Sequence, residues 1–346
     1  MRTANSGLLA LAAALALIVP AGAGPAVAQN GLPNLDQVSP IEEALAMEVG
    51  DVTLTLTGAV EARYTTGSDE DEDNGPGLIG SLGLTAMTQL PNRWSVNLGY
   101  IGRLVSDEAL STEESERYTD AAALSAGGVW GTVSLGNVSA TVRDQTRRRR
   151  GFGNAVLAFD DFHGERADRS AGYAGRVGPF VASGVVDDDS NVDLGLTFQR
   201  PIGNGSRDYR VTFRAGKGAY EAADETHLFT SRGFSVVGEV VYGSTLFDVG
   251  LGQESFSSSA VDAARWYISS GIRRKIMVWG LSLEGHYGQI EGQEEVSAAL
   301  GIQYDLARGL SANFGLNYED AQVVLGDVRF LDSSDTKAVF SLTYTF

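Results

Sequence analysis

From Val52 onward the chain repeatedly alternates single apolar with single polar residues, and this period of two constrains its fold more than any other feature. Val52, Leu54, Leu56, Val60, Ala62 and Tyr64 interleave with Thr53, Thr55, Thr57, Glu61 and Arg63. Side chains one residue apart point to opposite faces in a strand, so each such run has one apolar and one hydrophilic face. The pattern returns in Trp94, Val96, Leu98, Tyr100 and Leu104, then in Val192 to Phe198, Tyr209 to Ala215, and Trp279 to Tyr287. Ala338, Phe340, Leu342, Tyr344 and Phe346 close the chain in the same way.

The connections are as informative as the strands. Short links at Pro91 to Arg93, Gly127-Gly128, Val177-Gly178, Pro201 to Ser206, Gly243-Ser244, Arg274-Lys275 and Ala307 to Gly309 alternate with longer polar stretches. The longer ones are Thr66 to Gly77, Ser106 to Arg117, Asn137 to Asp168, Asp187 to Ser190, Lys217 to Gly233, Glu254 to Ala263, Gly288 to Glu295 and Glu319 to Asp335. Short and long connections alternate in this way when every second hairpin ends on the same side of a membrane. Counting strands between the links gives about 16, an even number that leaves both termini on one side.

A soluble sandwich or propeller also alternates, but it does not need aromatic residues at the ends of its apolar faces. Here Trp94, Tyr100, Trp279, Tyr287, Tyr304, Tyr318, Tyr344 and Phe346 fall near such ends, as interfacial girdles do. The expected fold is all-β: a transmembrane antiparallel β-barrel. The mean hydropathy of −0.06 does not oppose this, because a strand wet on one side and lipid-facing on the other averages to neutral. Glycine contributes 43 of 346 residues, well above the usual ~7%, which favours strands and turns.

Residues 1–28 read as a secretory signal peptide. Arg2 precedes the apolar run Leu8 to Val19, Pro20 breaks it, and Ala26-Val27-Ala28 supplies a small-residue cleavage site. An apolar run of about 12 residues is too short to span a bilayer, which takes roughly 20. The mature chain is expected to begin at Gln29, with residues 29–50 as a periplasmic leader and 51–346 as the barrel. Within the leader, Pro40 to Met47 reads as a short helix, a plug element or a flexible segment. The formal net charge of −18 excludes nucleic acid as a partner, since phosphate neutralisation needs a basic face. The absence of cysteine fits an exported chain.

Three pieces of sequence resemble the Gram-negative trimeric porin family, particularly its divergent alphaproteobacterial members. Gly131 to Asn137 resembles the strand before the porins' in-folded constriction loop, and Tyr173 fits the strand that leaves it. The terminal Phe346, with Tyr344 and alternate apolar residues before it, is similar to the signal read by the barrel-assembly machinery. The resemblance implies a homotrimer in the outer membrane, in contact with its lipid and lipopolysaccharide, passing small hydrophilic solutes by passive diffusion. It also implies that Asn137 to about Asp168, the longest inter-strand segment, folds inside the barrel.

That segment carries the candidate constriction residues: Arg147, Arg148, Arg149 and Arg150, followed by Asp160, Asp161 and Glu165. Family members commonly set acidic loop groups against a basic wall, for which the lumen-phase residues Arg63, Arg103, Arg210, Arg214, Arg265 and Arg273 are candidates here. Four consecutive arginines in the loop depart from that arrangement and leave the sign of selectivity open. The run also reads as a solvated charge cluster, and adjacent arginines cannot all face one pore. Glu61, Asp193, Glu239, Asp248 and Glu284 share the lumen phase, so the wall carries both signs.

The run Asp69-Glu70-Asp71-Glu72-Asp73, with Asp187-Asp188-Asp189 in a second outer loop, clusters hard oxygen ligands that suit Ca²⁺ or Mg²⁺ bridged to lipopolysaccharide phosphates, although such runs are often only solvated. No other cofactor is expected. The three histidines, His163, His227 and His286, sit in no recognisable catalytic motif, so no enzyme is expected. A substrate-specific channel and a structural or adhesive barrel with little conductance are the alternatives to a general porin. A sugar-specific path would be lined by aromatics, and Tyr267 is the clearest lumen-phase candidate.

Overall fold

The computed structural model describes residues 45–68, 75–106, 118–164, 167, 169–202, 207–259 and 261–346. Alternation is converted into strands almost throughout. In chain order these are β1 (Leu45–Val49), β2 (Val52–Gly67), β3 (Gly75–Gln89), β4 (Ser95–Ser106), β5 (Tyr118–Gly128), β6 (Gly131–Asn137), β7 (Arg169–Val177), β8 (Phe180–Asp187) and β9 (Val192–Ile202). They continue as β10 (Arg207–Glu221), β11 (Leu228–Tyr242), β12 (Thr245–Ser257), β13 (Asp262–Ile276), β14 (Trp279–Ile290), β15 (Gln293–Ala307), β16 (Leu310–Leu325) and β17 (Val328–Thr345). One short helix, α1 (Ser139–Asp144), lies between β6 and β7.

Each strand pairs antiparallel with the next, and β17 pairs back onto β2, so β2 to β17 form a closed ring of 16 strands. Within the ring β2 to β17 closure leaves no exposed sheet edge, which is the condition for crossing a bilayer with strands. No helix among the described residues is long and apolar enough to cross a membrane.

The two faces separate as the alternation requires. Along β10, Val211 and Phe213 are exposed on the outside, whereas Arg210, Thr212 and Arg214 between them are buried in the interior. This is a barrel turned outward, with its apolar side chains facing lipid and its charges facing the lumen.

Three features differ from the sequence reading. Leu45 to Met47 belong to a strand, not a helix: β1 turns at Gly50 and pairs with the first residues of β2, from Val49↔Val52 to Leu45↔Leu56. Leu45, Met47 and Val49 thereby extend the apolar outer face of Val52, Leu54 and Leu56. The remainder of the 29–50 leader lies outside the described residues.

Second, the stretches Gly288 to Glu295 and Glu319 to Asp335 are not long loops. The β14–β15 connection is two residues, Glu291 and Gly292, and both have positive φ (49° and 81°), the geometry of a tight type I′ hairpin. The β16–β17 connection is likewise Gly326-Asp327. The strands simply continue past the apolar belt, where polar residues on the outer face hide the period.

Third, the interior changes character at the loop end. Phe229, Phe256, Ile290, Val323, Leu325, Val328 and Phe330 point inward and form a buried apolar cluster. A register shift near Val323/Val324 turns Val328 and Phe330 inward to join it. The β10–β11 hairpin is tied to β17 across this cluster by Ala223 N–H to the Phe330 carbonyl (3.1 Å), Asp224 N–H to the Arg329 carbonyl (3.2 Å) and the Tyr220 hydroxyl to the Phe330 carbonyl (2.9 Å). Phe330→Ala is expected to cost about 3 kcal/mol, the lower end for a buried phenylalanine. Chemical unfolding of the refolded protein in micelles checks it, and an unchanged midpoint would contradict the packing.

Candidate pore constriction

The segment between β6 and β7 folds into the lumen and lines the inner wall from β8 round to β17, out at one level and back at another. The seating is written in small residues. Helix α1 packs Val142, with Val138, against Val185, over Gly172, where any Cβ would strike the Val142 side chain. Thr146 is fully buried over Gly195, its hydroxyl 2.8 Å from that of Ser183. Further on, Phe152 to Ala155 lie flush on a track made by Gly280, Gly301 and Gly315. Gly301 and Gly315 are register partners, and a Cβ on either would overlap the loop backbone.

The loop turns at Asn154, whose amide donates to the Ser341 hydroxyl (3.1 Å) on β17. The return leg is held by the Ser297 hydroxyl on the Ala158 carbonyl (2.6 Å), by Arg265 on the Asp161 carbonyl (2.8 Å), and by Ala167 N–H on Asp187 (2.7 Å). The open lumen is therefore bounded by the loop on one side and the inner faces of β2 to β7 on the other.

Charge pairing sorts the candidate residues into two groups. Asp161 accepts from Arg214 (2.6 Å) and Arg147 (2.9 Å) and lies 3.5 Å from Arg143. Burial alone would raise its carboxyl, but Arg214, Arg147 and Arg143 outweigh burial and hold it well below the usual carboxylate range. Arg148 is buried, with Asp160 at 2.9 Å, and shares the Asp248 and Glu284 carboxylates with Arg273. Arg210 binds Glu239 at 2.9 Å. Arg214 also reaches Asp193 at 2.7 Å. Both arrangements therefore occur: the loop's Asp161 sits on the wall residue Arg214, while the loop's Arg148 enters an acidic socket of Asp248 and Glu284 in the wall.

Arg149 and Arg150 are the residues of the run left exposed; the Arg149 backbone N–H donates to Glu239 (3.1 Å), while its guanidinium stands 3.6 Å from that carboxylate. Arg150 and the wall residue Arg103 pair with no carboxylate among the described residues, and Arg103 is exposed on the lumen face of β4. Arg63 faces the lumen from β2, across from Ser341. A cavity of about 1040 Å³ opens on the short-turn side of the loop, lined by Arg147, Arg148, Arg149, Arg150, Arg176 and Arg210 with one carboxylate, Asp144.

Glu165 and the run Asp69 to Asp73 lie outside the described residues. Among the described residues no group of three metal-ligating side chains comes together. Glu254 and Glu295 were hidden from the sequence reading because they fell in stretches read as loops. Both are buried on Arg265 (3.0 and 2.6 Å), and His163 and His286 each lie 3.1 Å from Glu295. Their signal was parity: Glu254 continues the lumen phase of Asp248 through Gly250 and Gly252.

Tyr267 points inward but is buried, with its ring stacked under Arg265 at 4.3 Å, so it offers no aromatic surface to a permeating solute. His227, with Thr226 and Asp224, makes a superficially triad-like group on the β10–β11 hairpin. Both contacts use Nδ1. A relay needs one ring nitrogen for the nucleophile and the other for the orienting acid, so this is a turn-stabilising contact.

Asp161→Asn leaves three guanidiniums short of a counter-charge and is expected to cost about 3 kcal/mol in unfolding while strengthening anion preference. The sign of the pH dependence follows from the lowered carboxyl. Its contribution is fully present above about pH 4 and is lost as pH falls through the depressed value. A reversal-potential series from pH 7 to pH 4 should be flat with respect to this group.

No family model and no curated protein matches the sequence. Solved structures do match its fold. The trimer form of in-vitro folded OmpT, an outer membrane protein of Vibrio cholerae, aligns with a TM-score of 0.65 at 14% identity over 85% of this chain and 99% of that one. The anion-selective porin from Comamonas acidovorans gives 0.59 at 14% identity over 85% and 100%. Salmonella typhi OmpF, in complex with daunomycin, gives 0.58 at 12% identity over 87% and 100%. Taken with the closed ring of 16 strands and the loop folded into its lumen, these matches show that the chain has the fold of the Gram-negative outer-membrane porins.

Proposed function

We propose that the protein is a porin: a water-filled channel for passive diffusion of small hydrophilic solutes and ions, with a constriction that prefers anions. One observation carries this reading. Among the described residues, Asp160 and Asp161 of the loop and Glu239, Asp248 and Glu284 of the wall behind it are paired with arginines, so at the aqueous gap Arg150, Arg103 and the exposed Arg149 outnumber Glu61, the lumen-facing carboxylate of β2. Charge at a narrow aqueous gap with low-dielectric walls is poorly screened and sets which ion enters.

A mature chain beginning at Gln29, assembly as a homotrimer and insertion through Phe346 belong to the same reading. The Phe346 ring lies over Gly58, and the two residues exchange backbone hydrogen bonds of 3.0 Å, so the terminal residue completes the ring beside β2. An enzymatic role is not proposed, since the buried histidines are engaged with Glu295 and His227 lacks relay geometry.

The test is reconstitution in planar bilayers under asymmetric KCl. Stepwise conductance with a reversal potential of the chloride-selective sign is expected. A potassium-selective sign would remove the anion preference, saturable block by one sugar or peptide would favour a specific channel, and an absence of steps would sink the channel reading.

A further inference from the structure

At the loop end of the barrel, strands that lie far apart in the ring meet through their inward side chains. β11 and β17 are six strand spacings apart, roughly 29 Å along the wall at about 4.8 Å per spacing. Yet the Phe330 ring of β17 has its centroid 5.0 Å from that of Phe229 on β11, 4.9 Å from Phe256 on β12 and 4.8 Å from Tyr220 on β10. The wall from β10 to β17 therefore curls in on itself here. Backbone bonds from Ala223 and Asp224 of the β10–β11 hairpin to the carbonyls of Phe330 and Arg329 stitch the closure. Phe256 and Phe330 are 1% and 0% exposed, so the closure is dry.

Directly against this cover lies the network that anchors the return leg of the constriction loop. The His163 ring of the loop packs on Tyr220 (5.5 Å) and Phe256 (6.1 Å). Its backbone N–H and that of Gly164 donate to Glu254 (3.1 Å each), and its Nε2 shares Glu295 with His286. Arg265 joins both carboxylates and donates to the carbonyls of Phe159 and Asp161. Phe159 has a φ of 63°, a left-handed backbone that a phenylalanine keeps only where its surroundings fix it. Arg265, Glu254 and Glu295 are at most 1% exposed. Ion pairs of this kind are strong only while water is excluded. The attraction between two charges falls by up to about twentyfold from a dry interior to water, and pairs reached by water are further screened by salt.

We propose that Tyr220, Phe256 and Phe330 are positioning residues of the constriction: their rings keep the Arg265 network dry, and the dry network holds the loop at its gap. They act through His163 and Arg265, without touching a permeating solute. The proposal rests on the channel reading and adds to it a route by which the outer mouth governs the constriction.

The test compares wild type, Phe330→Ala, Tyr220→Ala and the conservative Phe330→Leu, each as the full mature chain checked for refolding by circular dichroism. In planar bilayers the fraction of time spent closed is recorded at about 0.1 M and 1 M KCl, where the Debye length is about 10 Å and 3 Å. Wild type and Phe330→Leu should stay open at both. Both alanine variants should show closures, and their closed fraction should rise at least about twofold at the higher salt, because wetted ion pairs are screened. A loop disturbed only by looser packing would close equally at both. The chain has no cysteine, so Ala263→Cys, placed in the cover at 5% exposure, reports its dryness to a negatively charged methanethiosulfonate. That thiol should be unreactive in the otherwise native chain and reactive once Phe330→Ala is added. Steps in wild type with unchanged closing in both alanine variants would overturn the proposal and leave the channel reading standing. So would closures indifferent to salt, a Phe330→Leu channel that behaves like Phe330→Ala, or a reactive Ala263→Cys in the otherwise native chain. An absence of steps in wild type would remove the channel reading and this proposal together.

Discussion

Gly301→Val is expected to lower single-channel conductance severalfold while leaving the barrel folded. Gly301 sits mid-strand in β15, where valine is a favourable residue, so the sheet itself tolerates the change. The lumen side does not, because the Phe152 carbonyl oxygen occupies the space a Cβ would need, and the Ser282 hydroxyl and Ala155 methyl crowd it further. The loop must lift off the glycine track. The direction it can move is into the gap facing β2 to β7, since its back is against the wall. A narrower gap conducts less, and a loop released from Gly301 and Gly315 also fluctuates, so open-channel noise should rise. Gly285→Val provides the comparison: that glycine lies on the same hairpin with nothing within 4 Å of an added Cβ, and conductance should stay at the wild-type level. Unchanged conductance in Gly301→Val would mean that the loop is not held flush on this wall.

The second large effect concerns the arginine run, whose four members are chemically identical and structurally unequal. Arg149→Glu/Arg150→Glu is expected to reverse the sign of the reversal potential in asymmetric KCl. Two exposed cations become two anions beside the gap, against Arg103 and Arg63 on the facing wall, and a constriction of low dielectric makes that exchange count. Arg148→Gln should behave differently. It leaves Asp248 and Glu284 with Arg273 as their buried cation and takes from Asp160 its arginine, so its main consequence is lost stability, about 3 to 5 kcal/mol, with a smaller effect on ion preference. If the exposed pair and the buried residue gave the same electrical phenotype, the division of the run into pore-facing and wall-anchoring members would be wrong.

Much of the fold was legible because a strand with lipid on one side and water on the other must alternate, and Val52 to Tyr64 or Ala338 to Phe346 can satisfy that in few other ways. The weaker strands β5, β6 and β7 also lie where the pattern placed them. Legibility failed where the two environments ceased to differ. Past the apolar belt, Gln289 to Glu295 and Glu319 to Asp335 have polar outer faces, so strands that continue to two-residue turns looked like loops. Leu45 to Met47 looked helical on local composition, but pairing with Val52 to Leu56 overrides local propensity.

By itself, the sequence determined the barrel, its even strand number, the lumen phase of Arg63, Arg103, Arg210 and Arg214, and the loop that would matter. Those follow from periodicity, which is a property of neighbours along the chain. Only the tertiary structure decided which charges the pore sees. Asp160 and Asp161 follow the arginine run in the same loop, and only folding sets Asp160 on Arg148 and Asp161 on Arg214, Arg147 and Arg143, while Arg148 differs from Arg150 only in which wall residues stand behind it. A charge acts on a permeating ion only if nothing nearer neutralises it, and the nearest neutralising group, such as Asp248 for Arg148, lies about a hundred residues away in the chain.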